Sequence, residues 1–185
     1  NHIKSEITNM QAKEIENLKA QLNVFQNTNS YKGQMGEKRI QDILHEHFIG
    51  YEIKDTSGQT NKADIHVINS NNDIVAIESK NKATITTQDV AKCLKDIKTL
   101  QAEQPNKLLG YLFVSMRSNN IPKKSDLYYE VIDNVPVIWY GTNDSAHLEH
   151  DIVYFVRLLF QHVQPVSEDT NLISSINDYL KRVIE

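Results

Sequence analysis

The sequence predicts a mixed α/β fold, a central sheet flanked by helices, with a further helix in front of it. Three observations carry this reading. Residues 63–67 and 74–80 are short runs rich in β-branched residues, separated by Asn69-Ser70-Asn71-Asn72-Asp73, the pattern of two antiparallel strands joined by a turn. Residues 88–101 then space Val90, Cys93 or Leu94, Ile97 and Leu100 as one stripe of a helix. Residues 108–116 follow as a nearly continuous apolar run, the mark of a strand covered on both faces. A strand, a long helix and a buried strand in succession imply a parallel crossover into an otherwise antiparallel sheet.

Residues 3–26 predict an amphipathic helix. Ile3, Ile7 and Met10, then Leu18, Leu22 and Phe25, recur at spacings of three and four, with Ile15 offset and a break in register between the two runs, and no Gly or Pro interrupts. About three heptads are marginal as a lone helix, so residues 1–28 read as a short coiled coil that pairs two copies of the chain through residues 1–26. Asn27-Thr28-Asn29-Ser30 reads as a polar linker. The domain proper is expected over 31–185, with its core at 31–140 and C-terminal helices over 145–185. Gly33-Gln34-Met35-Gly36-Glu37 opens its first helix, with Ile40, Ile43, Leu44 and Phe48 as the apolar face and Glu37 in the first turn, where the helix dipole favours a carboxylate. The two glycines leave room for a close approach by backbone or ligand.

A short strand at 51–53 and a polar loop at 56–61 lead into the 63–80 hairpin. Thr86 or Thr87 caps the helix at 88–101, and Pro105 closes it. Beyond the strand at 108–116, a polar loop covers 117–126 and another strand covers 135–140. A helix over 145–164 carries Leu148, Ile152, Phe155, Val156 and Leu159, Pro165 ends it, and a last helix starts near residue 168.

The 185 residues carry a net charge of −4, unevenly spread. Residues 31–124 hold 14 basic and 11 acidic side chains, whereas residues 125–185 hold 3 and 10. The positive excess favours an anionic ligand on the first of these segments. No run approaches the ~18 apolar residues of a membrane span, and no signal-peptide pattern is present. A single cysteine, Cys93, rules out an internal disulfide and a cysteine-based zinc site. The chain is therefore expected inside the cell, in cytoplasm or nucleus, not secreted. A start at Asn1 suggests a fragment of a longer protein. No Gly-rich phosphate loop is present, which argues against ATP hydrolysis. His45, His47, His66, His147 and His150 show no metal-binding motif and read as ordinary histidines, and Trp139 and Tyr140 as packing residues.

Chemistry concentrates in the hairpin. Asp64 opens its first strand, and Glu78 and Lys80 close the second. Antiparallel pairing sets the start of one strand beside the end of its neighbour, and residues two apart share a face. Two acids and an amine should therefore meet at one edge. Ala63-Asp64, thirteen intervening residues, then Glu78-Ser79-Lys80, with Glu37 on the preceding helix and an αβββαβ element order, resembles the PD-(D/E)XK nuclease superfamily, a branch preceded by a coiled coil. The likeness spans roughly residues 31–115, and Ala63 stands where Pro is usual.

The resemblance implies a restriction-endonuclease-like core and a metal-dependent endonuclease acting on DNA, with RNA open as a substrate. Oxygen-only ligands suit Mg²⁺ or Mn²⁺. Asp64, Glu78 and the Ser79 carbonyl would hold the ion, Glu37 a metal-bound water or second ion. Lys80 would orient the attacking water, as base or as stabiliser of the transition state. Lys82, Gln88 and Lys92 are the candidate nucleic-acid contacts. The alternative is a non-catalytic nucleic-acid-binding or assembly module on the same fold.

Overall fold

The computed structural model describes residues 2–26, 28–161, 174, 176–178 and 180–182. Helices α1 (His2–Gln26) and α2 (Asn29–His47) are followed by strands β1 (Glu52–Asp55), β2 (Ile65–Ile68) and β3 (Ile74–Lys80). Helix α3 (Thr87–Glu103), strands β4 (Leu108–Ser115), β5 (Leu127–Ile132) and β6 (Val135–Gly141), and helix α4 (Leu148–Gln161) complete the chain order. The six strands form one mixed sheet in the order β1-β2-β3-β4-β6-β5.

The β3–β4 crossover through α3 is parallel as expected, but β4 and β6 are parallel as well, so the sheet is not otherwise antiparallel. The cause is an additional strand. Residues 127–132 leave β4 for the sheet edge and return by a two-residue turn at Asp133 and Asn134, both at positive φ (48° and 64°). Asp and Asn tolerate that region, and the pair is a hairpin signal that periodicity alone passes over.

Alternation along the strands divides the core in two. Val75 and Ile77 face α2 and α4, packing with Ile40, Leu44, Ile152 and Leu159. Ala76 faces α3, packing with Cys93, Ile97, Phe113 and Trp139. Gly110 lets α4 close on the sheet, since a Cβ there would lie 2.9 Å from Leu159 Cβ. Trp139 is fully buried and donates its indole N–H to Glu130, and buried Cys93 is a structural thiol whose pKa burial pushes well up.

One helix start differs from the sequence reading, and one falls on a cap that it named, Thr86. Helix α2 starts at Asn29, not Gly33, because the Thr28 hydroxyl accepts the Tyr31 N–H at 3.2 Å and caps it. Residues 29–30 are helix, not linker, and Glu37 lies two turns in, not in the first turn. Helix α3 starts with a reciprocal cap in which the Thr86 hydroxyl accepts the Asp89 N–H and Asp89 accepts the Thr86 N–H. The expected helix end at Pro165 and the start near residue 168 lie outside the described residues. Further on, Leu180 is buried and Asn177 bonds both the N–H and the C=O of Tyr129. No helix among the described residues is long and apolar enough to cross a membrane.

Candidate active site

The carboxyl ends of β3, β4 and β6 lie side by side, with Lys80 opposite Ser115 and Ser115 opposite Gly141. Strand β3 has an antiparallel neighbour on one side and a parallel one on the other. Asp64 precedes β2 at this end. Its N–H donates to Ile77 C=O at 3.0 Å, which extends the β2–β3 ladder and sets Asp64 beside Glu78. Asp64 Oδ2 accepts the Ser79 N–H at 2.8 Å and the Ser79 hydroxyl at 3.3 Å. The Lys80 ammonium donates to Glu78 Oε1 and to the Ser79 carbonyl. The predicted convergence of Asp64, Glu78 and Lys80 is present, at the strand ends of the inner sheet and not along an outer edge.

The two acids of the hairpin are buried. Glu78 is fully buried and Asp64 is 6% exposed. Burial first, then the neighbouring Glu78 charge, pushes the Asp64 carboxyl up to about 6 from 3.8. Glu78 Oε2 is buried with no hydrogen-bond partner among the described residues. An orphaned, buried carboxylate oxygen beside a second carboxylate is costly unless a cation meets it. The donor set is oxygen only, so the residues fit Mg²⁺ or Mn²⁺.

Glu37 joins by charge and not by contact. It is half-buried on α2, and its pKa is raised by burial and then by Asp55, with Lys80 opposing. Of the two glycines before it, only Gly36 serves a close approach. A Cβ there would lie 2.5 Å from Met116 Cε and 2.8 Å from Asn81 Cβ, whereas Gly33 faces open space. Asn81, next to Lys80, donates to the Lys32 carbonyl at 2.6 Å, so α2 and the end of β3 are clamped together.

Ala63 adopts φ +64°. Proline, locked near −65°, would not fit there, which is a physical reason for its absence at this position.

The three candidate nucleic-acid contacts fare differently. Gln88 is exposed on the first turn of α3, and its side chain makes no hydrogen bond among the described residues. Lys82 is tied to Asp89 at 2.7 Å. Lys92 belongs to the site itself. Its ammonium lies 2.5 Å from Glu78 Oε1, 3.6 Å from Asp96 Oδ2 and 4.0 Å from Asp64 Oδ1. Burial alone would lower its pKa, but these carboxylates outweigh that and raise it.

Asp96 escaped the sequence reading. It is fully buried on α3, accepts the Tyr111 hydroxyl at 3.3 Å, and leaves Oδ1 without a partner among the described residues. Burial raises its pKa more than Lys92 lowers it. The available signal was an acid inside the Cys93–Ile97–Leu100 stripe, four residues after a lysine.

Among the described residues the histidines stay outside the site. His66 is buried and bonded to the Lys62 carbonyl, and burial lowers its pKa. His47 bonds Glu149 at 2.8 Å and ties α2 to α4, with Glu46 close by in an exposed group of three potential ligands.

No family model matches the chain, and no curated protein does. Among solved structures the chain is similar to one from an assembly of Thermococcus gammatolerans McrB AAA+ hexamers with bound McrC, at 12% identity and a TM-score of 0.45. The match covers 69% of this chain and 33% of that one, so this chain spans about a third of its length. A likeness at that TM-score decides nothing about fold family or activity.

Proposed function

We propose that the chain is a metal-dependent nuclease that hydrolyses DNA phosphodiester bonds, an endonuclease on a restriction-endonuclease-like core, paired through α1. The carrying observation is the meeting of Asp64, Glu78 and Lys80 at the carboxyl end of β3, with Glu78 buried and one of its oxygens without a partner among the described residues. Asp64, Glu78 and the Ser79 carbonyl would hold Mg²⁺ or Mn²⁺. Such an ion, when bound, supplies Lewis acidity and a water of lowered pKa.

The chain's own groups do the rest. The Ser79 N–H holds the Asp64 carboxylate against rotation. Lys80, anchored by Glu78 and the Ser79 carbonyl, carries its positive charge to the place where a phosphate gains negative charge as it is attacked. Lys92 neutralises the same acids from the other side, which offsets their mutual repulsion. Glu37, raised by burial, stands ready to hold a water at the α2 side.

A non-catalytic module on this fold would draw on the acidic segment 125–185, with its 10 acidic and 3 basic residues. Such a module needs no buried Glu78 with an orphaned oxygen, and this is the observation that favours the enzyme. The test is incubation of supercoiled and linear duplex DNA, single-stranded DNA and RNA with Mg²⁺, Mn²⁺ or EDTA. We expect metal-dependent cleavage of DNA, reduced at least ~10²-fold by Asp64→Asn and by Lys80→Ala. No cleavage of any substrate by the unaltered chain, or cleavage untouched by both substitutions, overturns the reading.

A further inference from the structure

We infer that the nucleic-acid backbone reaches this site across a basic trough on the α2 side, not across α3. The inference rests on the nuclease reading and names the surface that would deliver the substrate. A cavity of about 610 Å³ opens between α2 and the loop after β4. Lys38, Arg39 and Arg117 line it, and Asp42 is its single acid. Gly36 and Asn81 also line it, and the next residue to Gly36 is Glu37, while the residue before Asn81 is Lys80. The trough therefore borders the turn of α2 that carries Glu37 and the end of β3 that carries Lys80.

The distribution of available charge sets the direction. Lys82 and Lys92, the α3-side lysines at the site, are each engaged by carboxylates, and Lys95 and Lys98, exposed one and two turns further along α3, do not line this cavity. Lys38, Arg39 and Arg117 are exposed, and none has a carboxylate oxygen within ion-pair distance among the described residues. Arg39 donates to the Ser145 carbonyl at 3.3 Å, which steadies its guanidinium at the trough wall. Three cations with few local partners beside a cavity attract a polyanion, and phosphodiester oxygens match both ammonium and guanidinium donors. Contacts of this kind position the strand without reading sequence.

The experiment measures binding apart from cleavage. The full chain is titrated in EDTA against fluorescein-labelled 20-bp duplex DNA of two unrelated sequences, and against duplex RNA, over a range of salt. The variant Lys38→Gln/Arg117→Gln is compared with Lys95→Gln/Lys98→Gln, which removes two exposed charges from α3. The trough variant is expected to bind about tenfold more weakly, equally on both sequences, with the slope of log K against log salt reduced by about two. The α3 variant should bind unchanged. Arg117→Lys, which keeps the charge, should retain the slope and so separates charge from packing. The RNA arm tells whether the trough distinguishes the two backbones.

Wild-type affinity and slope in the trough variant overturn the inference, as does an equal loss in the α3 variant or no binding by the unaltered chain. DNA cleavage that persists with trough-independent binding would overturn the trough and leave the nuclease reading standing. Trough-dependent binding with no cleavage under any metal would do the reverse.

Discussion

Lys92 Nζ and Glu78 Oε1 lie 2.5 Å apart, joining the middle of α3 to the carboxyl end of β3. Lys80 donates to the same oxygen, so one buried carboxylate oxygen serves two ammonium groups while its twin has no partner among the described residues. Asp96 steadies Lys92 from one turn further along α3. Three acids, Asp64, Glu78 and Asp96, are thus held by two of the protein's own cations, Lys80 and Lys92.

Removing Lys92 tests that balance. Lys92→Met leaves Glu78, Asp64 and Asp96 short of one counter-charge. A fully buried pair broken from one side costs about 3–5 kcal/mol. Lys92's side chain is 44% exposed, so solvent screening reduces this to about 1–2 kcal/mol. Urea unfolding of the metal-free protein should show that loss, and millimolar Mg²⁺ should restore more stability to the variant than to the parent chain. Equal restoration in both would show that Lys92 and the cation do not share the acids.

Asp64 makes stability and activity pull in opposite directions. Its carboxyl is raised from 3.8 to about 6, first by burial and then by Glu78. The folded state therefore holds that proton more tightly than the unfolded chain. The resulting stability is full below about 3.8 and is lost as pH rises through about 6, a span worth on the order of 3 kcal/mol. Asp64→Asn should flatten thermal stability across that window and unfold at a higher temperature than the parent at pH 8. Metal binding by the parent, which needs the ionised carboxylate, should weaken as pH falls below 6. A variant whose stability still follows pH as the parent's does would assign the titration elsewhere.

Gly36 is a steric test of the clamp between α2 and β3. In Gly36→Ala the new methyl would meet Met116 Cε at 2.5 Å and Asn81 Cβ at 2.8 Å. Met116 has a flexible end and can yield, but Asn81 Cβ is fixed beside the backbone that carries Lys80. A loss of about 1–3 kcal/mol is expected, together with lowered cleavage. Adding Met116→Ala should recover only part of it. Full recovery would place the strain on Met116 alone and clear Asn81.

Helix α1 presents Ile15, Leu18, Leu22 and Phe25, each more than half exposed, at spacings of three, four and three. That is the spacing a coiled-coil seam requires. Leu18→Glu/Leu22→Glu should convert a dimer to a monomer in sedimentation at micromolar concentration. A parent chain that already sediments as a monomer would remove the pairing.

The amino-acid sequence by itself determined the fold class, because the period-two and period-3.6 patterns are local and strong. It determined the pairing of Asp64 with Glu78 and Lys80 for the same reason, since strand register converts spacing into proximity. Residues 127–132 escaped because their hairpin is signalled by two positive-φ residues and not by alternation, and Thr28 was overlooked because a cap and a linker share composition. Only the tertiary structure decided that Lys92 and Asp96 enter the site. They lie on a helix whose rotation about its axis is set by packing of Cys93, Ile97 and Leu100 against the sheet. Packing likewise set Gly36, and not Gly33, against Met116 and Asn81, and placed Lys38, Arg39 and Arg117 around one cavity on the α2 side. Contacts between elements far apart in the chain depend on how faces dock, and no local period encodes that.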